Sequence, residues 1–227
     1  MTRVIVVGDS HARALALGAT ALGYECLSFA TSAAAWRDGV MRLAADGTLT
    51  SERFRARQKI ESFQQEAAHP NPLLSGTPVI ASIGYHSSQF LTEMRMKKLG
   101  LSHVPSKSAE TQLSPAFLAA WLAEARAEAL DGLATIAAQA PLVVVTPPQF
   151  EAKPLLTALN DALSQLIRAR GLPLYDPNSD MADNTGALPA TFAHEDGKHG
   201  SESFGVEVLK NLARQTLIPK PPARKNT

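Results

Sequence analysis

Two short stretches near opposite ends of the chain carry residue types that could perform nucleophilic catalysis. Ser10 stands in the turn-forming sequence Gly8-Asp9-Ser10-His11, and Asp196 and His199 stand three residues apart in Asp196-Gly197-Lys198-His199. A serine hydroxyl becomes a good nucleophile when a base takes its proton and an acid fixes the tautomer of that base. The two stretches contain all three groups. The simpler alternatives are that Ser10 or Asp9 is a helix N-cap and that the Asp-His pair lies in a charged surface turn.

The residues around Ser10 predict a strand, a tight turn and a helix. Val4 to Val7 is a β-branched run typical of a strand buried on both faces, and the alanine- and leucine-rich run from Ala12 to Leu17 favours a helix. This arrangement raises the hydroxyl above the carboxyl end of the strand. The helix start behind it provides unpaired N–H groups that suit a developing oxyanion.

The rest of the chain alternates between predicted strands and helices. Four further strands are predicted at Glu25–Ala30, Pro78–Ile83, Pro141–Thr146 and Leu172–Tyr175. Helices are predicted at residues 51–68, 114–140, 154–170 and 201–217, with a short helix within 37–47 and loops at 31–36 and 176–193. This alternation predicts an α/β fold with three α/β/α layers around a five-stranded parallel sheet.

The carboxyl ends of the predicted strands collect several polar side chains. Ligands of such sheets bind beyond this edge. Residues expected there, besides the Asp196/His199 loop, are Ser10, Ser32, His86 and Gln149. We expect Asp9, Tyr85 and Gln149 to bind substrate.

Composition excludes several classes of protein. The 227 residues are 45% apolar with a net charge of +1, which gives no indication of nucleic-acid binding. The single Cys26 excludes an internal disulfide, and no metal-ligand cluster, cofactor motif, signal peptide or membrane-spanning run is present. We expect a cytoplasmic protein without metal or cofactor.

The chain is expected to form one domain over residues 1–218, with an insertion at 85–113 over the active-site edge and a disordered basic tail at 219–227.

The two motifs resemble those of the SGNH/GDSL hydrolase superfamily. The block Val6-Val7-Gly8-Asp9-Ser10-His11-Ala12 is similar to the GDSHA form found in SGNH domains linked to polysaccharide O-acyl modification, and Asp196-Gly197-Lys198-His199 is similar to the last block. The resemblance implies a flavodoxin-like SGNH-hydrolase fold. It also implies that Ser10 is the nucleophile, His199 the base and Asp196 the orienting acid.

Two blocks depart from the family pattern, and both concern the oxyanion hole. The second block has no glycine in Ala30-Thr31-Ser32-Ala33-Ala34-Ala35, so a backbone N–H of Ser32 or Ala33 would serve beside that of Ser10. In the third block, His86 occupies the position of the usual asparagine and can donate from a ring nitrogen.

The resemblance implies a serine-dependent ester hydrolase that forms an acyl-enzyme on O-acyl esters of a carbohydrate or small metabolite. Two alternatives share the fold: an O-acyltransferase that uses the same triad, and a non-catalytic binding module, favoured by the missing glycine and asparagine. A flavodoxin-like nucleotide binder is weaker because no glycine-rich phosphate-binding motif follows any strand.

Overall fold

A five-stranded parallel sheet forms the centre of the protein. The computed structural model describes residues 2–83, 85, 114–151, 154–184 and 187–222. The strands of the sheet are β1 (Arg3–Gly8), β2 (Glu25–Ala30), β5 (Val79–Ser82), β6 (Leu142–Val145) and β7 (Leu174–Tyr175). The predicted α/β fold with five parallel strands is confirmed, and the limits of β2 agree with those predicted.

The strands lie side by side in the order β2-β1-β5-β6-β7, and all neighbours are parallel. This is the 2-1-3-4-5 order of flavodoxin-like doubly wound sheets, in which the chain changes direction across the sheet between its first and third strands. Here that position falls between β1 and β5, where Gly8 pairs with Ser82. Ligands of such sheets bind in the crevice at this position.

Helices cover both faces of the sheet. They are α1 (Ala12–Ala21), α2 (Ala33–Arg37), α3 (Phe54–Ala67), α4 (Pro115–Ala125), α5 (Ala127–Ala137), α6 (Pro154–Ala169), α7 (Pro177–Met181) and α8 (Glu202–Arg214). Along β1, Val4 and Val6 pack with α1 and α8, whereas Ile5 and Val7 pack into the larger core formed with α3 to α6. Side chains alternate along a strand, so this central strand contributes to both cores.

Four predictions of local structure were wrong. The predicted helix within 37–47 is instead the beginning of a hairpin, β3 (Arg42–Leu43) and β4 (Leu49–Thr50). Asp46 accepts hydrogen bonds from the Thr48 backbone and hydroxyl, and Gly47 has a φ of +80°. This turn overrides the helix propensity of the preceding residues.

The predicted loop at 31–36 contains α2, whose first turn is capped by the Ser32 side chain. The helix predicted at 114–140 is broken at Arg126, where φ is −119° and ψ is 4°. The predicted loop 176–193 contains α7, which Asp176 caps by accepting from Asn178 N. These elements alter the surroundings of the sheet edge and leave the sheet itself as predicted.

Two predicted segments fall largely outside the described residues. Of the insertion 85–113, only Tyr85 is described, and of the tail, residues 219–222 are described. The carbonyl oxygen of Pro219 accepts a hydrogen bond of 2.6 Å from the Tyr24 hydroxyl. Within the described ranges, no helix combines the length and apolar character that crossing a membrane requires.

Candidate active site

The turn after β1 presents Ser10 at the carboxyl edge of the sheet. Asp9 N donates to the carbonyl oxygen of Ser82 at 3.1 Å, and the buried carboxylate of Asp9 accepts from His11 N at 3.0 Å. Gly8 lies so close to β5 that a Cβ there would stand 2.3 Å from the Ser82 carbonyl oxygen. The turn is therefore fixed to the neighbouring strand, and Ser10 is left partly exposed.

A tight loop before α8 carries Asp196 and His199. His194 N donates to the carbonyl oxygen of His199 at 2.7 Å, and Gly197 N donates to that of His194 at 2.8 Å. Gly197 has a φ of +65°, a conformation that glycine adopts without steric cost. The loop closes on itself, and its His199 side chain reaches Ser10, just before α1.

Ser10, His199 and Asp196 form a continuous chain of hydrogen bonds. The Ser10 Oγ lies 2.8 Å from His199 Nε2, and His199 Nδ1 lies 2.5 Å from Asp196 Oδ2. A carboxylate only accepts, so Nδ1 carries the proton and Nε2 is left to accept from the serine hydroxyl. The second carboxylate oxygen accepts from the backbone N–H groups of Lys198 at 2.9 Å and His199 at 3.0 Å.

These donors keep Asp196 ionised. The backbone N–H of His199, then its ring, then the N–H of Lys198 hold the pKa of the Asp196 carboxyl well below its usual range. Asp196 is therefore a carboxylate at any pH at which the protein would be assayed. A negative charge beside Nδ1 would stabilise an imidazolium at His199 if that ring took up a proton.

Helices α1 and α8 bring the two stretches together. A Cβ on Gly18 of α1 would lie 2.2 Å from the backbone of Gly205, and a Cβ on Gly205 of α8 would lie 1.9 Å from the Ala14 carbonyl oxygen. The two helix backbones are in contact because neither glycine has a side chain. Since Ser10 precedes α1 and His199 precedes α8, this contact sets the separation of their side chains.

His11 lies against His199. Its ring centroid is 5.0 Å from that of His199, at an interplanar angle of 41°. Its Nδ1 is buried and has no hydrogen-bond partner among the residues that the structure describes. Burial lowers the pKa of His11, which nearby Asp9 partly opposes, so the ring is neutral at pH 7 and adds no second positive charge beside His199.

A pocket of about 250 Å³ opens beside Ser10 and His199. One wall is formed by Ser10 and by a face of α1 that bears Arg13, Ala14 and Leu17. The other wall is formed by the Asp196/His199 loop and the start of α8. The side chains of His199 and Asp196 are 34% and 42% exposed, so water reaches both.

Three of the four residues predicted for the oxyanion hole have a free backbone donor in the described ranges. The N–H of Ser10 has no acceptor within the described parts of the chain, and the same holds for Ser32 and Ala33 at the start of α2. The loop that bears Ser32 and Ala33 is joined to the end of β1, because the Gly8 carbonyl oxygen accepts from Thr31 N and from the Trp36 indole, both at 3.1 Å. His86 lies outside the described residues.

The predicted substrate-binding residues do not line this pocket. Asp9 is buried in the turn. Tyr85 is buried in the core, where its hydroxyl lies 3.1 Å from that of Ser164. Gln149 is held between α7 and α6, since its N–H donates to the Asn178 side chain at 2.7 Å and its Oε1 accepts from Thr157 at 3.0 Å. Their role in substrate binding stays a prediction.

Sequence reasoning missed the residues that surround the triad of side chains. Arg13 and Leu17 on α1, and His194, Ser201 and Glu202 near α8, line the pocket. Positions 10, 13, 14 and 17 follow helical periodicity, which is a signal that the sequence contained. Across the described ranges, no group of three or more His, Cys, Asp or Glu side chains is arranged to hold a metal ion.

Comparison with known proteins gives no family to which the chain can be assigned. No protein-family model matches it, and no curated protein matches it either.

Proposed function

We propose that this protein is a serine-dependent ester hydrolase that acts on O-acyl esters through an acyl-enzyme on Ser10. The observation that carries this proposal is the alignment of Ser10 Oγ with His199 Nε2 at 2.8 Å while His199 Nδ1 faces Asp196 at 2.5 Å. Nucleophile, base and orienting acid are within hydrogen-bond reach in the order that the chemistry needs.

In the first half of the proposed reaction, Ser10 Oγ attacks the ester carbonyl carbon and its proton passes to His199 Nε2. The C–O bond to the alcohol then breaks, and His199 returns the proton to the departing oxygen. In the second half, water loses a proton to Nε2 and attacks the acyl-enzyme, which releases the carboxylic acid and restores the Ser10 hydroxyl. Asp196 remains ionised throughout and stabilises the imidazolium of His199.

The negative oxygen of each tetrahedral intermediate needs donors that are already in place. The unoccupied N–H groups of Ser10 and of Ser32 or Ala33 are suitable for this role. A backbone donor requires no particular side chain, so the absence of a glycine in this loop is compatible with an oxyanion hole. In this proposal His86 supplies the third donor.

Hydrolysis is favoured over acyl transfer by the exposure of the site. The partly exposed His199 and the open pocket admit the water that the second half-reaction consumes. The resemblance of the Gly8-Asp9-Ser10-His11 and Asp196-Gly197-Lys198-His199 motifs to the SGNH/GDSL hydrolases supports an O-acyl ester of a carbohydrate or small metabolite as the substrate class.

Labelling with a fluorophosphonate probe tests the proposal. We expect the wild-type protein to be labelled on Ser10, identified by peptide mapping, and Ser10→Ala to be unlabelled. Ser62→Ala, which removes an exposed serine on α3, serves as the control and should be labelled like the wild type. Failure of the folded wild type to react would overturn the esterase and favour the non-catalytic binding module.

A further inference from the structure

Two side chains of opposite charge line the pocket beside Ser10, one on each wall. Arg13 belongs to the α1 wall, one helical turn beyond Ser10, and Glu202 is the first residue of α8 on the other wall. Both residues are exposed, and neither side chain forms an ion pair or a hydrogen bond within the described ranges. Both charges are therefore available to a ligand that enters the pocket.

The pocket lies on the side from which the alcohol of an ester would depart. In the proposed reaction His199 Nε2 returns a proton to the departing oxygen, so the alcohol must lie beside this ring. His199 lines the pocket, whereas Ser32 and Ala33, the proposed oxyanion donors, do not. The alcohol portion of such an ester would therefore lie between Arg13 and Glu202.

The pocket has room for a small alcohol with two charged arms. Its volume is about 250 Å³, and apolar cavities of about 150 Å³ accept a molecule the size of benzene. Leu17, two turns along α1 from Ser10, is 43% exposed and with Ala14 gives the α1 wall an apolar surface. Carbon atoms of the alcohol that pack on this surface are removed from water, which favours binding.

We propose that the ester hydrolysed at Ser10 has a zwitterionic alcohol portion, with a carboxylate bound by Arg13 and an ammonium group bound by Glu202. The guanidinium presents paired N–H donors that match the two oxygens of a carboxylate, and the Glu202 carboxylate attracts the positive charge. An alcohol with only one charge leaves the charge of one wall unmatched. This inference rests on the proposed function for the position of the alcohol, but binding in the pocket is measurable without hydrolysis.

Three acetate esters with one carbon framework separate the two charges. Acetylcarnitine has a carboxylate arm and a quaternary ammonium arm on the carbon that bears the ester oxygen. Its nitrogen has no free electron pair, so it cannot take the acetyl group itself. In acetyl-β-methylcholine a hydrogen replaces the carboxylate, and in 3-acetoxybutanoate a hydrogen replaces the ammonium group. Calorimetric titration of Ser10→Ala, which lacks the nucleophile, should show saturable binding of acetylcarnitine, at least fivefold tighter than that of either other ester.

Substitution of each charged residue should affect only the esters that carry its partner charge. In the Ser10→Ala background, Arg13→Gln should weaken acetylcarnitine and 3-acetoxybutanoate at least fivefold and leave acetyl-β-methylcholine unchanged. Glu202→Gln should weaken acetylcarnitine and acetyl-β-methylcholine and leave 3-acetoxybutanoate unchanged. Arg55→Gln and Glu61→Gln, which remove the same charges from exposed positions on α3, are the controls and should alter none of the three affinities.

A distorted pocket would weaken all three esters together, so the crossed pattern identifies charge recognition. The inference is overturned if acetylcarnitine does not bind saturably, if the three esters bind equally well, or if Arg13→Gln and Glu202→Gln either change nothing or weaken all three alike. The crossed pattern in a protein whose wild type hydrolyses no ester would retain the binding inference and reject the proposed function. Ester hydrolysis by the wild type together with equal binding of the three esters would do the reverse.

Discussion

Gly205 of α8 lies against the backbone of Ala14 in α1, so closely that a Cβ on Gly205 would be 1.9 Å from the Ala14 carbonyl oxygen. This contact holds together the two helices whose first turns follow Ser10 and His199. The hydrogen bond between the Ser10 and His199 side chains therefore depends on the close contact of two helix backbones, several residues away from either side chain.

Replacement of Gly205 by alanine should destabilise the protein, although alanine is the better helix former by about 1 kcal/mol. Overpacking at such a contact costs about 1–3 kcal/mol, because the helices must move apart. We expect a lower urea midpoint and reduced esterase activity. Lys210→Ala, on the exposed side of α8, is the control and should change neither. A Gly205→Ala protein as stable and active as the wild type would show that the helices need not be so close.

The sheet and the candidate site differ in how much of them the sequence predicts. The β-branched run of β1 and the alternation of strands and helices indicate a parallel sheet, because continuous β-branched runs are typical of strands that are buried on both faces. The proximity of Ser10 and His199 followed from placing both at one edge of the sheet. The Gly18–Gly205 contact was not predicted, since the approach of two helices is decided by tertiary packing.

The β3–β4 hairpin shows where local propensity misleads. Met41 to Ala45 are good helix formers, yet Asp46-Gly47 is a strong turn sequence and determines the structure. The break at Arg126 had no equivalent signal, because the residues on both sides of it favour a helix.

Asp196→Asn should reduce kcat of ester hydrolysis by about 10³- to 10⁴-fold, with little effect on KM. An amide lacks the charge that stabilises the His199 imidazolium and no longer selects the tautomer with the proton on Nδ1. Steady-state kinetics with an activated ester measure the effect, and Glu195→Gln, a neighbouring exposed change, is the control. A loss below tenfold would remove Asp196 from the mechanism.

His11 should make stability depend on pH. Burial lowers its pKa below the ordinary value of 6.5, against the opposing charges of Asp9 and Asp196 and with the help of His199. The unfolded chain therefore takes up a proton on His11 at a higher pH than the folded chain does, and the free energy of unfolding falls as pH decreases through about 6.5.

His11→Gln lacks this titration, so it should lose less stability than the wild type between pH 7.5 and 5.0 in urea unfolding. His194→Gln removes an exposed histidine and should leave the wild-type loss in place. Equal losses in His11→Gln and the wild type would argue against this role for His11.

Tyr85→Phe should lower stability by about 1 kcal/mol without raising KM for an ester. The change leaves the buried Ser164 hydroxyl without the partner that now lies 3.1 Å away. Tyr24→Phe is a matched control for the loss of a tyrosine hydrogen bond, because it removes the bond from the Tyr24 hydroxyl to Pro219 on the other side of the sheet. An increase in KM with unchanged stability would instead assign Tyr85 to substrate binding.

The most direct test of the proposed function is the steady-state hydrolysis of p-nitrophenyl acetate by the wild type and by Ser10→Ala. Alanine has no hydroxyl to attack the carbonyl carbon, and loss of a nucleophile in such a triad lowers turnover by several orders of magnitude. We predict measurable turnover by the wild type and none above the buffer rate for a Ser10→Ala protein of unchanged fold by circular dichroism. Wild-type turnover in Ser10→Ala would contradict the proposed mechanism.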